Sequence, residues 1–436
     1  MANDGDVLER EYKDQNLLNV PLATHKTHLK SLPHERFLLR QLLKFVGHPQ
    51  LKLRLWDGQE AGVGNARFTL TLADRAAFYS LCGHPELAFG DLYSAGRLTL
   101  EGALEDFLRE VYSSMGQARQ SWPKWLERTW KVAAQRGADL VAARGNIHHH
   151  YDLGNDFYAL WLDAPAMQYT CAYYEAPDYT LEQAQQAKME HVCRKLRLKP
   201  GQTVFDAGCG WGGLARYMAK HYGVKVRAFN ISKEQLAFAR AKAQEQGLAD
   251  RVEYVEDDYR NITGECDAFV SVGMLEHVGP DNYAPLAQVV ARCLKPGGMG
   301  MIHAIGRNRP AAMNEWIEKR IFPGAYPPSI AEFTGLFEAA PLSVLDVENL
   351  RLHYARTLQH WLANFDAKVE QVSRDYGDAF ARAWRLYLAG SMVAFETASL
   401  QLFQVTFTTE HNNALRANRR HLYANSALVA GGLIDD

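Results

Sequence analysis

The run Val204-Phe205-Asp206-Ala207-Gly208-Cys209-Gly210-Trp211-Gly212-Gly213 joins a short apolar strand, an acid and a glycine-rich turn. Glycines after a strand let the backbone turn tightly and let a ligand come close. Asp206 immediately precedes the turn, an anion placed where a cationic amino group could sit. The spacing Gly208-x-Gly210 followed by Trp211-Gly212-Gly213 lacks the register that cradles a pyrophosphate. Asp206, Gly208, Cys209 and Gly210 therefore read as a site for S-adenosylmethionine. After the next strand come Asn230, Ser232 and Gln235, neutral groups that can hydrogen-bond ribose hydroxyls where many such sheets carry an acid. Asp258 and Tyr259 follow the third strand, an acid and a ring that could receive an adenine, or else a solvated turn.

Cys171, Glu276, His303 and Tyr354, which a family resemblance set out below brings forward, are of types that do chemistry. Each alone has a plain structural reading. Glu276, with His277, could end a strand and cap the next helix. His303 lies in the apolar run 299–305 and could be a satisfied core histidine, Cys171 a small buried residue and Tyr354 ordinary packing. His148, His149 and His150 are consecutive and cannot all face one ion from a regular element, so no metal site is expected.

Something must position these residues. From 192 onward the pattern alternates strand and helix: strands at 203–206, 224–229, 252–255, 268–272 and 300–304, and helices at 214–222 and 234–246. That order predicts an α/β domain with a mostly parallel sheet and right-handed crossovers. The remainder, 314–416, reads as mostly helical and aromatic-rich. Before it, helical spacing at 35–46 and 101–112 brackets two alternating runs at 51–56 and 66–72, which predict a small α+β domain. The expected map is a polar arm at 1–33, this domain at 34–120, a linker helix at 121–145, the catalytic domain at 146–416 with a helical substrate cap, and a polar tail at 417–436. Trp122, Trp125, Leu126 and Trp130 share one face of the linker helix and Lys124, Arg128 and Lys131 another. Such a helix can lie in a membrane interface or pack its tryptophans between domains.

Composition narrows the classes. Of 436 residues, 47% are apolar and 22% charged, the balance of an ordinary folded chain. A net charge of −2, with no basic arm, argues against nucleic acid as a partner. No apolar run is long enough to span a bilayer and no apolar core opens the chain, so a cytoplasmic protein is expected. Six scattered cysteines form no disulfide framework.

The motifs His149-His150-Tyr151-Asp152, Gly154-Asn155-Asp156-Phe157-Tyr158, Tyr169-Thr170-Cys171-Ala172-Tyr173, Glu276-His277-Val278-Gly279, His303-Ala304-Ile305-Gly306, Phe322-Pro323-Gly324 and Tyr354-Ala355-Arg356-Thr357-Leu358 accompany the glycine turn in order. Together they resemble the cyclopropane-fatty-acyl-phospholipid synthase family, over nearly the whole chain. Phe89-Gly90-Asp91-Leu92-Tyr93 resembles the members that act on bacterial phospholipids. The resemblance implies a Rossmann-like class I methyltransferase domain with a smaller amino-terminal lipid-binding domain, and an unsaturated membrane phospholipid as substrate. It implies that Tyr169 and Thr170 join the cofactor site, and that Cys171, Glu276, His303, Ile305 (through its backbone) and Tyr354 hold a bicarbonate ion acting as base. Peripheral contact with the inner face of the cell membrane is expected, and the family suggests a homodimer. Asn230 stands where relatives often carry threonine, and Thr170 where serine is more usual.

The chemistry fits those residue types. An isolated alkene methylated by a sulfonium becomes a carbocation, which calls for an apolar site, π-faces such as Tyr151, Phe157, Tyr158, Tyr173 and Tyr174, and a base shielded from water. A related lipid C-methyltransferase leaving a methyl or methylene branch, a small-molecule N-methyltransferase, and a lipid carrier with an inactive domain are the alternatives. The segment Met274-Leu275-Glu276-His277 lacks the Asn/Asp-Pro-Pro-aromatic element of base-amino methylation.

Overall fold

The computed structural model describes residues 30–47, 50–119 and 153–423. The polar arm up to residue 29, the linker helix 121–145, His148 to Asp152 and the tail from residue 424 lie outside the described residues. The chain forms two compact units, one of 1–122, 314–316 and 365–393, the other of 123–313, 317–364 and 394–436. The helical stretch 365–393, read from sequence as part of the catalytic domain's cap, thus groups with the amino-terminal unit.

The amino-terminal unit is built on a four-stranded sheet of order β2-β1-β3-β4, with β1 at Leu51–Arg54, β2 at Glu60–Gly62, β3 at Phe68–Leu72 and β4 at Leu98–Glu101. Leu51, Leu53, Phe68, Leu70 and Leu72 are buried, as their alternation requires. β2, at three residues, and β4, which lies between two helical patterns, escaped the sequence reading. β4 also takes the start of the helix expected at 101–112, which runs instead over Leu104–Arg119. Asp74 caps helix Arg75–Gly83 by accepting the Ala77 N–H at 2.9 Å and pairs with Arg97 at 2.7 Å. Gly90 sits mid-helix because a Cβ there would come within 2.4 Å of the Trp316 ring.

The larger unit holds a seven-stranded sheet of order β10-β11-β9-β8-β5-β6-β7. Its strands are β5 Thr203–Ala207, β6 Lys225–Asn230, β7 Val252–Glu256, β8 Cys266–Val272, β9 Leu294–Gly306, β10 Leu342–Asn349 and β11 Gln401–Thr409. Neighbours from β7 to β9 pair in parallel, and β10 and β11 add an antiparallel edge. β5 is buried on both faces, Val204 entering one apolar core and Phe205 and Ala207 the other, which is why these strands read as continuous apolar runs. The stretch 314–416 is mostly helical, as read, but it also supplies the two strands of the antiparallel edge, β10 and β11, which the sequence reading did not place. β11 is buried along nearly its whole length but alternates polar and apolar residues, with Gln404, Thr406 and Thr408 buried. Glu276 and His277, read as ending a strand, lie in the one-turn helix Leu275–Val278 after β8.

The order reverses between β5, which leads to β6 and β7 on one side, and β8 on the other. A cleft forms at such a switch point, beyond the carboxyl ends of the strands.

Candidate active site

The cleft is lined by the turns that leave β5, β6, β7 and β8 and by residues 167–170. Asp206 is buried, and its Oδ2 has no hydrogen-bond partner. Burial pushes its carboxyl up to about 7, against the pull of the Lys188 ammonium. An orphaned buried oxygen costs free energy until a donor reaches it, so the strand end is poised for a cationic group. Gly208 and Gly210 take φ of +90° and +55°, a region glycine alone enters freely. A Cβ at Gly210 would meet nothing within 4 Å, so the turn opens onto the cleft. Trp211 closes one side, its Nε1 donating to Asn155 at 2.6 Å.

Of the residues expected from sequence to hold a cofactor, Tyr169, Thr170, Asp206, Gly208, Cys209, Gly210, Asn230, Gln235, Asp258 and Tyr259 all line this cleft. Ser232 does not. Its hydroxyl caps helix Lys233–Glu245, accepting from the Gln235 N–H. Asn230 is partly committed to its own turn: Oδ1 accepts the Ile231 N–H at 2.8 Å and Nδ2 donates to Gln235 Oε1 at 2.8 Å. Asp258 is a buried cap, accepting the Arg260 N–H at 2.9 Å, as well as a lining residue. The sequence reading missed Gln168, Trp211, Asp257, Met274 and His277 as lining residues. Trp211 stood inside the quoted glycine motif; Gln168 and Asp257 carried no spacing signal of their own. Buried acid, glycine turn and neutral polar wall together fit adenosylmethionine.

Beside the cleft, the helix Leu275–Val278 places Glu276 inward while His277 and Val278 line the cleft. Glu276 Oε1 accepts the Ile305 N–H at 2.5 Å, and Oε2 is buried with no partner. Burial pushes this carboxyl up to about 7. His303, two residues earlier on β9, shares a face with Ile305. Its Nδ1 lies 3.0 Å from Gln404 Nε2. Burial and the neighbouring lysines hold His303 neutral, far below the ordinary imidazole range.

Tyr354 lies in the first turn of helix Arg351–Asp366, and the Cys171 sulfur sits 3.9 Å from the Leu350 carbonyl that precedes it. The Cys171 thiol donates to the Ala172 carbonyl at 3.1 Å, and the Ala172 N–H donates to Thr357 Oγ1 at 3.0 Å. Burial raises the Cys171 thiol well above its usual range, which leaves it a neutral donor. The Tyr354 ring stacks on Phe395 at 4.5 Å and meets Trp361 edge-on at 5.9 Å. Trp361 contacts Tyr169 and Trp161, and Tyr158 contacts Tyr169 and Trp211. A continuous run of aromatic rings therefore joins the cofactor cleft to Tyr354. Lys188 is the cation shared between the groups, since its charge acts on Asp206, Cys171 and His303. The Ile305 N–H donates to Glu276, which leaves the Ile305 carbonyl as the backbone group still open to the site. Among the described residues no cluster of three or more His, Cys, Asp or Glu could hold a metal.

Residues 139–405 match the family model described as mycolic acid cyclopropane synthetase, and residues 38–121 match a domain of unknown function. The chain is 43% identical over 302 residues to the cyclopropane-fatty-acyl-phospholipid synthase of Escherichia coli K12, covering 68% of this chain and 77% of that protein. It is 38% identical to a probable fatty acid methyltransferase of Pseudomonas putida, covering 82% and 91% respectively. Among solved structures, the cyclopropane synthase MmaA2 from Mycobacterium tuberculosis superposes with TM-score 0.58 at 29% identity, covering 61% of this chain and 97% of that one. The mycolic acid cyclopropane synthase CmaA1, complexed with SAH and CTAB, gives the same TM-score at 30% identity and the same coverage. With the switch-point cleft, the buried acid and the family match over most of its length, the chain belongs to the mycolic acid cyclopropane synthetase family, enzymes of the S-adenosylmethionine-dependent methyltransferase class.

Proposed function

We propose that this chain transfers a methylene group from S-adenosylmethionine to the cis double bond of an unsaturated acyl chain in a membrane phospholipid, closing a cyclopropane ring. The observation that carries the reading is Glu276, a buried carboxyl tied to Ile305 on the same one-turn helix as cleft residues His277 and Val278. A donor cleft and a proton-handling acid thus share one element. When bound, adenosylmethionine supplies an electrophilic methyl group on a cationic sulfur. Asp206 and the turn 208–210 would hold its amino acid end, with Tyr169 and Thr170 also lining the cleft; Asn230 and Gln235 would take the sugar and Asp258 with Tyr259 the base. Methyl addition to the alkene leaves a carbocation, and the aromatic run around Tyr169, Trp361 and Tyr354 offers it π-faces. Ring closure then needs a proton removed from the new methyl group.

Cys171, Glu276, His303 and Tyr354, with the backbone at Ile305, are the groups proposed to hold bicarbonate as that base. A thiol, a neutral imidazole and a protonated carboxyl can each donate, and the unpartnered Glu276 Oε2 marks where one is still unspent. The donor set fits a small anion.

The lipid must be reached at a membrane surface. In the amino-terminal unit Leu32, Phe37 and Tyr79 are 44%, 59% and 40% exposed, beside Arg36 and Arg40 on the same helix as Phe37. Apolar side chains among cations suit peripheral contact with an anionic interface. Among the described residues no helix is long and apolar enough to cross a membrane. Vesicles of cis-monounsaturated phospholipid should drive release of S-adenosylhomocysteine and co-sediment with the protein. Release that is equal with saturated vesicles, or absent with both, would contradict the assignment.

A further inference from the structure

Helix Leu181–Leu196 presents Gln185 and Lys188, one turn apart and fully buried. Gln185 Nε2 donates to the carbonyls of Thr170 at 2.8 Å and Gln168 at 3.4 Å. Lys188 Nζ donates to Thr170 Oγ1 at 2.9 Å and to the side-chain oxygen of Gln168. The residues so gripped, Gln168 to Thr170, form one wall of the cofactor cleft. On their other side the Asp163 carboxylate accepts the N–H groups of Ala166 at 3.1 Å and Gln168 at 2.7 Å. Between those two, Met167 is held at φ +52°, a conformation that a non-glycine residue keeps only under constraint. Burying an ammonium costs several kcal/mol unless it is paired and hydrogen-bonded. This one is spent entirely on groups around the cofactor.

We propose that Lys188 is a positioning residue for the cofactor: through its bonds to Gln168 and Thr170, its buried ammonium fixes the Gln168–Thr170 wall of the cleft. The inference rests on adenosylmethionine as the occupant of the cleft. The titratable groups facing Lys188 and Asp206 come from every surrounding element: Asp163 and Cys171 from the preceding segment, Cys209 from the glycine turn, Tyr254 from β7 and His303 from β9. Burial keeps both thiols and the Tyr254 phenol protonated and His303 neutral, so their charges do not change near neutrality. Asp163, Asp206 and Lys188 remain, two acids and one base; burial lowers the Lys188 ammonium to about 8, so its effect on Asp206 is read on the acid side of the range, below about pH 8.

The sign follows. Lys188 pulls the Asp206 carboxyl down, so deleting the charge raises it, and cofactor binding must then fail at a higher pH. The test is adenosylmethionine binding to the full chain by calorimetry from about pH 6 to pH 9 for wild type, K188M, K188Q and K188R. K188M should bind about tenfold or more weakly near pH 7, with its pH midpoint moved up by about a unit. K188R should stay within about threefold of wild type, with the midpoint unmoved. K188Q keeps a donor without the charge and carries the same comparison should K188M not fold. A neutral variant with wild-type midpoint and affinity would overturn the proposal, as would K188R behaving like K188M. Failure of wild type to bind adenosylmethionine would overturn the cofactor reading itself.

Discussion

Replacing Glu276 by glutamine should slow lipid alkylation by about two to three orders of magnitude, the usual worth of a positioned proton-transfer group, while adenosylmethionine binding stays within about twofold. The amide is nearly isosteric. Its oxygen can still accept the Ile305 N–H that Glu276 Oε1 takes at 2.5 Å, so the one-turn helix and the adjoining cleft keep their geometry. What changes is the buried position of Oε2, where a carboxyl that burial holds near neutrality becomes a group unable to release a proton. Single-turnover kinetics with vesicle substrate, beside calorimetric cofactor binding, separates the two effects. Loss of binding together with rate would mean that Glu276 supports the cleft rather than the chemistry. An unchanged rate would remove it from the mechanism.

The second large effect is at Asp206. Asp206→Asn should weaken adenosylmethionine binding by about 10- to 100-fold, the cost of losing a charge-assisted hydrogen bond in a buried site. It should not destabilise the cofactor-free protein. The carboxyl is raised on folding, so its contribution to stability is present at low pH and is lost as pH rises through about 7. Above that point the free enzyme carries a buried anion with one orphaned oxygen. A neutral amide relieves it. At about pH 8 the melting temperature of the variant should equal or exceed that of wild type, measured without cofactor. A marked fall in melting temperature would show that Asp206 serves the fold first.

These expectations differ in how far the chain alone supported them. β5 and β8 announce themselves because both faces are buried and few polar residues interrupt them, β6 by Val226, Ala228 and Phe229 buried beside the less buried Lys225 and Arg227, and the glycine turn after β5 carries its geometry in its spacing. β11 was hidden for the opposite reason: it is buried yet carries Gln404, Thr406 and Thr408 inward, so its composition resembles a surface element. Gln404 is there to meet His303, a pairing between residues a hundred positions apart that no local pattern could show. Ser232 misled because a hydroxyl near a nucleoside site and a helix cap are written in the same residue type. Lys188 left a signal that went unread. It occupies the inward stripe of its helix with Leu181, Ala184, Gln185 and Val192, and a lysine at core spacing marks a charge with a buried partner. The Glu276–Ile305 contact depends on the chain's path after β8 and lay beyond sequence reasoning.

The account's central claim is that one site delivers a methyl group to a lipid alkene and then takes a proton back from it. Incubating the protein with adenosylmethionine carrying a fully deuterated methyl group and cis-monounsaturated phospholipid vesicles, followed by mass spectrometry and ozonolysis of the acyl chains, tests both halves. The account predicts acyl chains that gain one carbon and retain two of its three deuterium atoms, with the alkene gone. Two deuterium atoms with an alkene retained, or all three retained as a methyl branch, would contradict ring closure. No label in lipid would contradict the lipid assignment altogether.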